Sequence, residues 1–325
     1  MKKVKIKYID WWTGFNCDNY LINKILKKYY NVVLSDDNPD YVIGSMYTKE
    51  ALDYDCIRIF YSGENFCPDF NLYDYAIGFE NMTYGDRYIY VPNYIMNPRY
   101  ADDVAKMLAK HTQEAIAEKI KSEFCSYVVS NGRGDSIRAE FFEALSQYKK
   151  INSGGRYLNN IGLPNGVADK YEFQKKHKFS ICFENSTHPG YITEKLVQGF
   201  AAGTIPIYWG SPDVIDVFNR KAMVVVAGKE DIPRAVEQIK EIDNNDDLYQ
   251  NMLKQPALIK TDYITDLKLD LERFLLNIFE QPLETAIRRP HVSTVDVYYS
   301  QEKVFKHRVG SFIDRVKKTG QEGRR

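Results

Sequence analysis

The sequence predicts an α/β protein made of two doubly wound units that face each other across a cleft. Short apolar runs typical of buried strands alternate with longer amphipathic segments in two successive blocks along the chain. One complete strand–helix–strand pattern lies between Phe179 and Gly210, and a crossover helix of this kind joins parallel strands. The length of 325 residues is enough for two domains of ordinary size.

The first unit is predicted over residues 1–120. Its strands follow from period-2 alternation or short apolar runs, and its helices from apolar residues at helical spacing. The predicted strands are Lys3–Asp10, Asn31–Leu34, Asp40–Ser45, Ile57–Tyr61, Tyr75–Phe79 and Tyr88–Tyr90, with a helix over Asn19–Tyr30 and a charged linking helix over Ala101–Ser122.

The second unit is predicted over residues 121–284, around the central strand–helix–strand pattern. A segment rich in Gly and Asn, Lys150–Gly166, is predicted to be largely loop. The other predicted elements are strands Phe124–Val129 and Met223–Val226 and helices Arg138–Tyr148, Ile232–Ile242, Asp247–Lys254 and Leu267–Phe279.

The loop of the central pattern is predicted to carry function. It reads ENSTHPGY and follows the strand Phe179–Phe183, and ligands bind at the carboxyl ends of strands in open α/β sheets. Lys195 falls in the first turn of the next helix, where free backbone N–H groups favour a phosphate. Arg138 also follows a polar loop and opens a helix, so the two cations suit a pyrophosphate. An ordinary polar loop and a surface salt bridge of Arg138 stay open as alternatives.

Composition excludes several classes of protein. Lys plus Arg equals Asp plus Glu at 44 each, which argues against a nucleic-acid partner. No apolar run is long enough to span a bilayer, and the start of the chain lacks the apolar core of a signal peptide. The five cysteines show no C-x-x-C spacing, so we expect free thiols in a reducing, cytoplasmic setting.

The segment 285–325 differs from the rest of the chain in its charge and in its apolar pattern. From Ser300 onward it carries eight Lys and Arg against three Asp and Glu, with apolar residues at helical spacing. The pattern predicts a basic amphipathic helix. It either contacts an anionic membrane from the cytoplasmic side or docks on the protein itself.

Two motifs resemble the α-1,3-fucosyltransferases of glycosyltransferase family 10, of the bacterial type. They are FYSGENFCPDFNLYDYAIGFE (60–80) and the FEN, GYITEK and IPIYWG segments of the central pattern. The stretch SIRAEFFEALSQYKKINSGGRYLNNIG (136–162) also looks familial. The resemblance implies a GT-B architecture with the nucleotide-sugar donor on the second domain.

The resemblance also implies roles for individual residues. It places Arg138 and Lys195 on the donor diphosphate, Asn185, Tyr191 and Glu194 around the fucose and ribose, and Glu64 as general base. Glu184 and Glu194 are the competing carboxylates for that base. Trp11 and Trp12, at the end of the first strand, either stack on an acceptor sugar or simply pack.

The reaction implied is an inverting transfer of fucose from GDP-β-L-fucose to the GlcNAc 3-OH of an N-acetyllactosamine-type glycan, giving a Lewis x-like product. No cofactor or metal is expected. The triplet Asp53–Asp55 has the D-x-D pattern of metal-dependent transferases. In those proteins the motif follows a strand, whereas here it precedes one, which argues against a metal role. The alternatives are another nucleotide sugar, an α-1,4 linkage or a non-catalytic glycan-binding protein. His188 is left open as a second group near the sugar or the base.

Overall fold

The computed structural model describes residues 1–45, 48, 50–109 and 121–290. Within these ranges the strands form two separate sheets, and every pairing of neighbouring strands is parallel. The strands are β1 Lys3–Ile9, β2 Asn31–Leu34, β3 Tyr41–Gly44, β4 Ile57–Tyr61, β5 Tyr75–Gly78, β6 Tyr88–Tyr90, β7 Glu123–Tyr127, β8 Ile151–Ser153, β9 His177–Phe183, β10 Ile205–Trp209 and β11 Val224–Val225.

The first sheet has the order β2-β1-β3-β4-β5-β6 and the second the order β11-β10-β9-β7-β8. The described α-helices are α1 Leu21–Tyr29, α2 Asn93–Met96, α3 Ala101–Ala109, α4 Ile137–Ser146, α5 Lys170–Gln174, α6 Glu194–Ala201, α7 Ile232–Asp243, α8 Asp246–Leu253, α9 Tyr263–Glu280 and α10 Leu283–Ala286. Two parallel sheets flanked by helices confirm the predicted α/β class with two doubly wound units.

Local sequence explains why the central unit folds as it does. All five residues of β10 and all but one of the seven in β9 are buried, as expected for strands covered on both faces. Thr193 caps α6, its side chain accepting from the backbone N–H of Lys195. Gly203, just beyond the helix, has φ +64°, the left-handed conformation that glycine adopts readily at a helix end.

Several predicted elements need correction. The segment predicted as loop contains β8, a three-residue edge strand that pairs with β7. The linking helix is helical over α3, residues 110–120 lie outside the described residues, and Lys121 and Ser122 are not helical. The short helices α2, α5 and α10 were not predicted, because four or five residues carry too little periodicity to identify.

The two units exchange helices. Helix α9 follows the second sheet in sequence but packs on the first, where Phe279 stacks on Tyr41 with ring centroids 4.0 Å apart. Helix α3 packs in turn on α6 of the second unit, and Gln198 Nε2 donates to Asp103 Oδ2 at 3.0 Å. One apolar cluster therefore contains residues of both units. The range 121–284 includes a helix whose partners lie in the first unit.

No helix in the described part of the chain has the length and apolar character needed to cross a bilayer. The basic helix predicted from Ser300 onward lies outside the described residues, which end at Pro290.

Candidate active site

The loop between β9 and α6 is held closed by one buried carboxylate. Glu184 is fully buried and accepts hydrogen bonds from the backbone N–H and the hydroxyl of Thr193, each at 2.7 Å. Its Oε2 also lies 2.9 Å from Lys195 Nζ. Because three donors already contact this buried carboxylate, Glu184 is suited to anchor the loop and is poorly placed for the competing role of general base.

Glycine allows this loop to reach the first unit. Gly190 has φ +80°, and a Cβ there would lie 2.1 Å from the carbonyl oxygen of Phe79, at the end of β5. The next residue, Tyr191, is buried and meets the Phe79 ring edge to face at 5.0 Å. The loop between β9 and α6, which is the predicted donor-side loop, is thus fixed against the carboxyl edge of the first sheet.

Glu64 follows β4 and faces the loop from the other side of the cleft. The Glu64 side chain reaches solvent, yet the walls of the cleft exclude water from part of it. This partial desolvation is the main cause of the raised pKa of Glu64. Lys195 and the phenol of Tyr191 lower the pKa of Glu64, whereas Glu194 and Glu184 raise it further. A carboxyl with a raised pKa in a cleft is a candidate general base.

Glu64 belongs to two cavities at once. The first, about 420 Å³, lies in the first unit and is rich in aromatic and amide side chains, including Trp11 and Trp12. The second, about 290 Å³, lies between the units. The residues common to both cavities are Gly63, Glu64, Asn93 and Tyr100. A group bound in one cavity would therefore meet a group bound in the other beside the Glu64 carboxylate.

Four of the five predicted donor-binding residues line the cavity between the units. They are Asn185, Tyr191, Glu194 and Lys195. Burial alone would lower the pKa of Lys195, but Glu184 and Glu194 outweigh it and the pKa is raised. The ammonium therefore stays charged at this wall.

The fifth, Arg138, sits directly behind this wall. It is fully buried in α4, and its guanidinium donates to Asn185 Oδ1 at 3.1 Å and to the carbonyl of Asn131 at 2.9 Å. Both acceptors line the cavity. Its Nε has no partner, and no carboxylate of the described residues pairs with it. A surface salt bridge, the alternative for Arg138, is therefore wrong.

Lys170 is a cation of this cavity that the sequence pattern does not predict. It is the first residue of α5 and lines the same cavity, with Nζ 2.7 Å from Gln198 Oε1. Burial lowers its pKa, partly offset by Glu194. Lys170 is a cation at the start of a helix, the same feature that identified Arg138 and Lys195. Its helix, however, is too short to be predicted from the sequence.

Trp11 and Trp12 have different surroundings and therefore different roles. Trp11 is stacked between Phe15 and Tyr61, at centroid distances of 4.0 and 5.2 Å, and its Nε1 donates to the Ile43 carbonyl. Trp12 leaves 46% of its surface exposed at the first cavity. Trp11 therefore shapes the cavity wall, and Trp12 offers a ring face to a ligand.

The remaining sequence candidates lie elsewhere. Asp53 ends a 3-10 helix before β4, and the fully exposed Asp55 pairs with Arg289 at 3.4 Å. Neither lines the two cavities. His188 also lines neither, and its Nε2 lies 2.7 Å from Glu80 Oε2 of the first unit.

Comparison with known proteins agrees with this geometry. The model of the α-(1,3)-fucosyltransferase FucT N-terminal domain matches residues 6–97, and that of the glycosyltransferase family 10 (fucosyltransferase) C-terminal domain matches residues 118–268. The α-(1,3)-fucosyltransferase FucT of Helicobacter pylori is 32% identical over 296 residues, covering 80% of this chain and 61% of the relative. The chain thus spans about three fifths of that relative's length.

Solved structures give the same result. A crystal structure of an α1,3-fucosyltransferase with GDP superposes with a TM-score of 0.75 at 28% identity, covering 89% of this chain and 93% of the other. A structure of an α1,3-fucosyltransferase with GDP-fucose gives 0.67 at 27% identity, covering 84% and 91%. With the two matched domains and the cleft between two parallel sheets, these likenesses show that the chain has the GT-B architecture and belongs to glycosyltransferase family 10, the fucosyltransferase family.

Proposed function

We propose that this chain is an inverting α-1,3-fucosyltransferase that moves L-fucose from GDP-β-L-fucose to the GlcNAc 3-OH of an N-acetyllactosamine-type glycan. The observation that carries the proposal is the position of Glu64 on the wall common to two cavities. One cavity has cations suited to a nucleotide diphosphate, and the other has aromatic and amide groups suited to a sugar. The GDP and GDP-fucose of the related structures support the choice of donor.

The donor would lie in the cavity between the units. Lys195 and Lys170 present ammonium groups there, and Arg138 contributes an unneutralised positive charge directly behind the wall. A buried cation without a carboxylate partner costs several kcal/mol, so an anion that neutralises it binds favourably. Charge-assisted hydrogen bonds to phosphate oxygens would add to this attraction. Asn185 and Tyr191 would contact the sugar end of the donor.

The acceptor would lie in the aromatic cavity, with a sugar ring on the exposed face of Trp12. Its hydroxyl oxygen attacks the anomeric carbon of fucose as the bond from that carbon to the GDP oxygen breaks. Glu64 takes the hydroxyl proton, and the raised pKa makes its carboxylate a stronger base than an ordinary glutamate. GDP departs as a diphosphate without protonation, and attack from the opposite face inverts the configuration.

The test combines the full chain with GDP-fucose and N-acetyllactosamine in EDTA. We expect GDP release that depends on the acceptor, and a product whose α-1,3 linkage is identified by NMR. Matched reactions with GDP-mannose and UDP-galactose should give no transfer. Turnover of one of those donors instead, an α-1,4 product, or GDP-fucose binding without turnover would overturn the proposal. Strict dependence on a divalent cation would overturn its metal-free mechanism.

A further inference from the structure

Three potential metal ligands converge where the donor-side loop meets the first unit. Cys67 lies in the loop after β4, Glu80 lies two residues beyond β5, and His188 lies in the loop between β9 and α6. Each offers one ligand atom, and these atoms all lie within 4.8 Å of one another. None of the three lines the proposed donor or acceptor cavity.

Glu80 stands between the other two residues. One of its oxygens lies 2.7 Å from His188 Nε2, and the other accepts from the Cys67 thiol. Among the described residues, His188 is the one basic group that lies within 4.0 Å of the Glu80 carboxylate. Thiol, imidazole and carboxylate together form a donor set that suits a borderline divalent cation, above all Zn²⁺.

The ligand atoms must rearrange to admit an ion. Zn²⁺ bonds of about 2.0–2.3 Å in a tetrahedral site place ligand atoms about 3.3–3.6 Å apart. His188 Nε2 and Glu80 Oε2 lie 2.7 Å apart and must separate, whereas all three ligand atoms already lie within 4.8 Å of one another. Three protein ligands leave a fourth position to water.

The surroundings hold the ligands in place. The Glu80 carbonyl accepts from the Tyr88 hydroxyl at 2.9 Å. The His188 ring meets the edge of Phe79 at 5.9 Å, and Gly190 packs against the Phe79 carbonyl. Backbone that is already fixed on both sides reduces the entropy lost when an ion binds.

We propose that Cys67, Glu80 and His188 form a Zn²⁺ site that joins the donor-side loop to the first unit. The ion replaces the proton of the Cys67 thiol, which leaves for solvent, and binds His188 through a ring nitrogen free of its proton. Because the two ends of the site belong to different units, the bound ion fastens the cleft at this edge. The proposal does not depend on the donor, the acceptor or the reaction.

The first test measures metal binding to the full chain by calorimetry with Zn²⁺ and by absorption with Co²⁺. We expect one ion per chain through this site and a thiolate-to-cobalt charge-transfer band. Cys67→Ser should abolish the band, and Cys67→Ser and His188→Gln should each weaken Zn²⁺ binding at least ten-fold, since even supporting residues of metal sites contribute that much. Cys56→Ser, which removes another thiol of the first unit, should change neither.

The second test uses thermal unfolding, because an ion that binds only the folded chain raises the melting temperature. Zn²⁺ should raise it in the wild type and in Cys56→Ser but not in Cys67→Ser or His188→Gln. Affinity for GDP should be the same in all four proteins without Zn²⁺, which shows that the variants are folded. Equal Zn²⁺ affinity in the wild type and both site variants, or an unchanged cobalt spectrum, would overturn the proposal.

Discussion

Glu64 is the residue on which the two cavities converge, and its replacement gives the sharpest test of mechanism. Glu64→Gln keeps the shape of the side chain but cannot accept the proton of the acceptor hydroxyl. Loss of a general base typically lowers the rate by about 10² to 10⁴. We expect kcat to fall by that factor while GDP affinity, measured by calorimetry, stays near the wild-type value. A variant that keeps more than about a tenth of the wild-type kcat would exclude Glu64 as the base.

Tyr191 is expected to shift the pH dependence of that base. Its phenol favours the ionised Glu64 carboxylate, although burial keeps the pKa raised overall. The base works when ionised, so kcat/KM should fall as the pH drops through the raised pKa. Tyr191→Phe removes the stabilising phenol, so the pKa rises further and the acid limb of the pH profile moves to higher pH.

The control for this profile is Tyr249→Phe, which removes a buried phenol that lines neither cavity. Its acid limb should coincide with that of the wild type. If the limb of Tyr191→Phe also coincides, the contact between Tyr191 and Glu64 does not operate in the enzyme.

Arg138 is expected to contribute to nucleotide affinity from behind the cavity wall. A charge-assisted hydrogen bond is worth about 1.5–3 kcal/mol, and Arg138 supplies both its charge and the two hydrogen bonds that hold Asn131 and Asn185 in the wall, so Arg138→Ala should weaken GDP binding by about ten-fold or more. Arg133→Ala, which removes an exposed arginine of the loop before α4, should leave GDP binding unchanged. Calorimetry that shows equal GDP affinity in both variants would remove Arg138 from the donor site.

At this scale the sequence predicted part of the site, charged and neutral residues alike, but not Lys170, Asn93 and Tyr100. Arg138 and Lys195 were identifiable because a cation at a helix start has a physical reason to meet phosphate. Asn93 and Tyr100 line both cavities, yet an amide and a phenol in the segments after β6 are common in any protein. The packing of the two units places Asn93 and Tyr100 beside Glu64, and local sequence patterns do not predict that packing.

The β9–loop–α6 element depends on its buried anchor, and two ion pairs in the chain allow that dependence to be measured. Lys195–Glu184 and Lys240–Glu237 have similar separations of 2.9 and 2.7 Å. The Glu184 side chain is 0% exposed, whereas that of Glu237 is 71% exposed. The pairs therefore differ in burial, and Glu184 also accepts two hydrogen bonds from Thr193.

Removing one partner of a buried pair leaves an uncompensated charge and typically costs about 3–5 kcal/mol. Glu184→Ala should lower the free energy of unfolding by that amount, because Thr193 and Lys195 lose their acceptor. Glu237→Ala should lower it by less than about 1 kcal/mol. Urea unfolding of both variants measures the difference, and equal losses would show that Glu184 is not the anchor of the loop.

Elements with strong periodicity were predictable, and the failures share a cause. Strand β8 has three residues and owes its conformation to the backbone of β7, which is distant in sequence. The segment around it is rich in Gly and Asn, which favours a loop when judged locally. Helix α5 likewise gains order from its packing between α6 and β9. Short elements are determined by tertiary partners, and local pattern cannot reveal them.

At the scale of the whole molecule, we expect the exchange of helices to make the two units unfold as one cooperative body. Phe279 of α9 is fully buried against Tyr41 and Tyr30 of the first unit, although the helix follows the second unit in sequence. Apolar patterning predicted this helix but not the sheet that it covers. The position in the sequence where the second unit begins therefore does not separate the residues that pack on the first sheet from those that pack on the second.

Replacing Phe279 tests this coupling. Phe279→Ala should lower the free energy of unfolding by about 3–5 kcal/mol, the usual loss when a buried aromatic side chain is truncated. Because one apolar cluster contains Phe279 and residues of both units, amide hydrogen exchange should accelerate together in β1 of the first sheet and β9 of the second. Leu269→Ala, which truncates a residue 45% exposed on the same helix, should change the free energy of unfolding by less than about 0.5 kcal/mol. Faster exchange in β1 alone, with β9 unchanged, would show that the two units unfold independently.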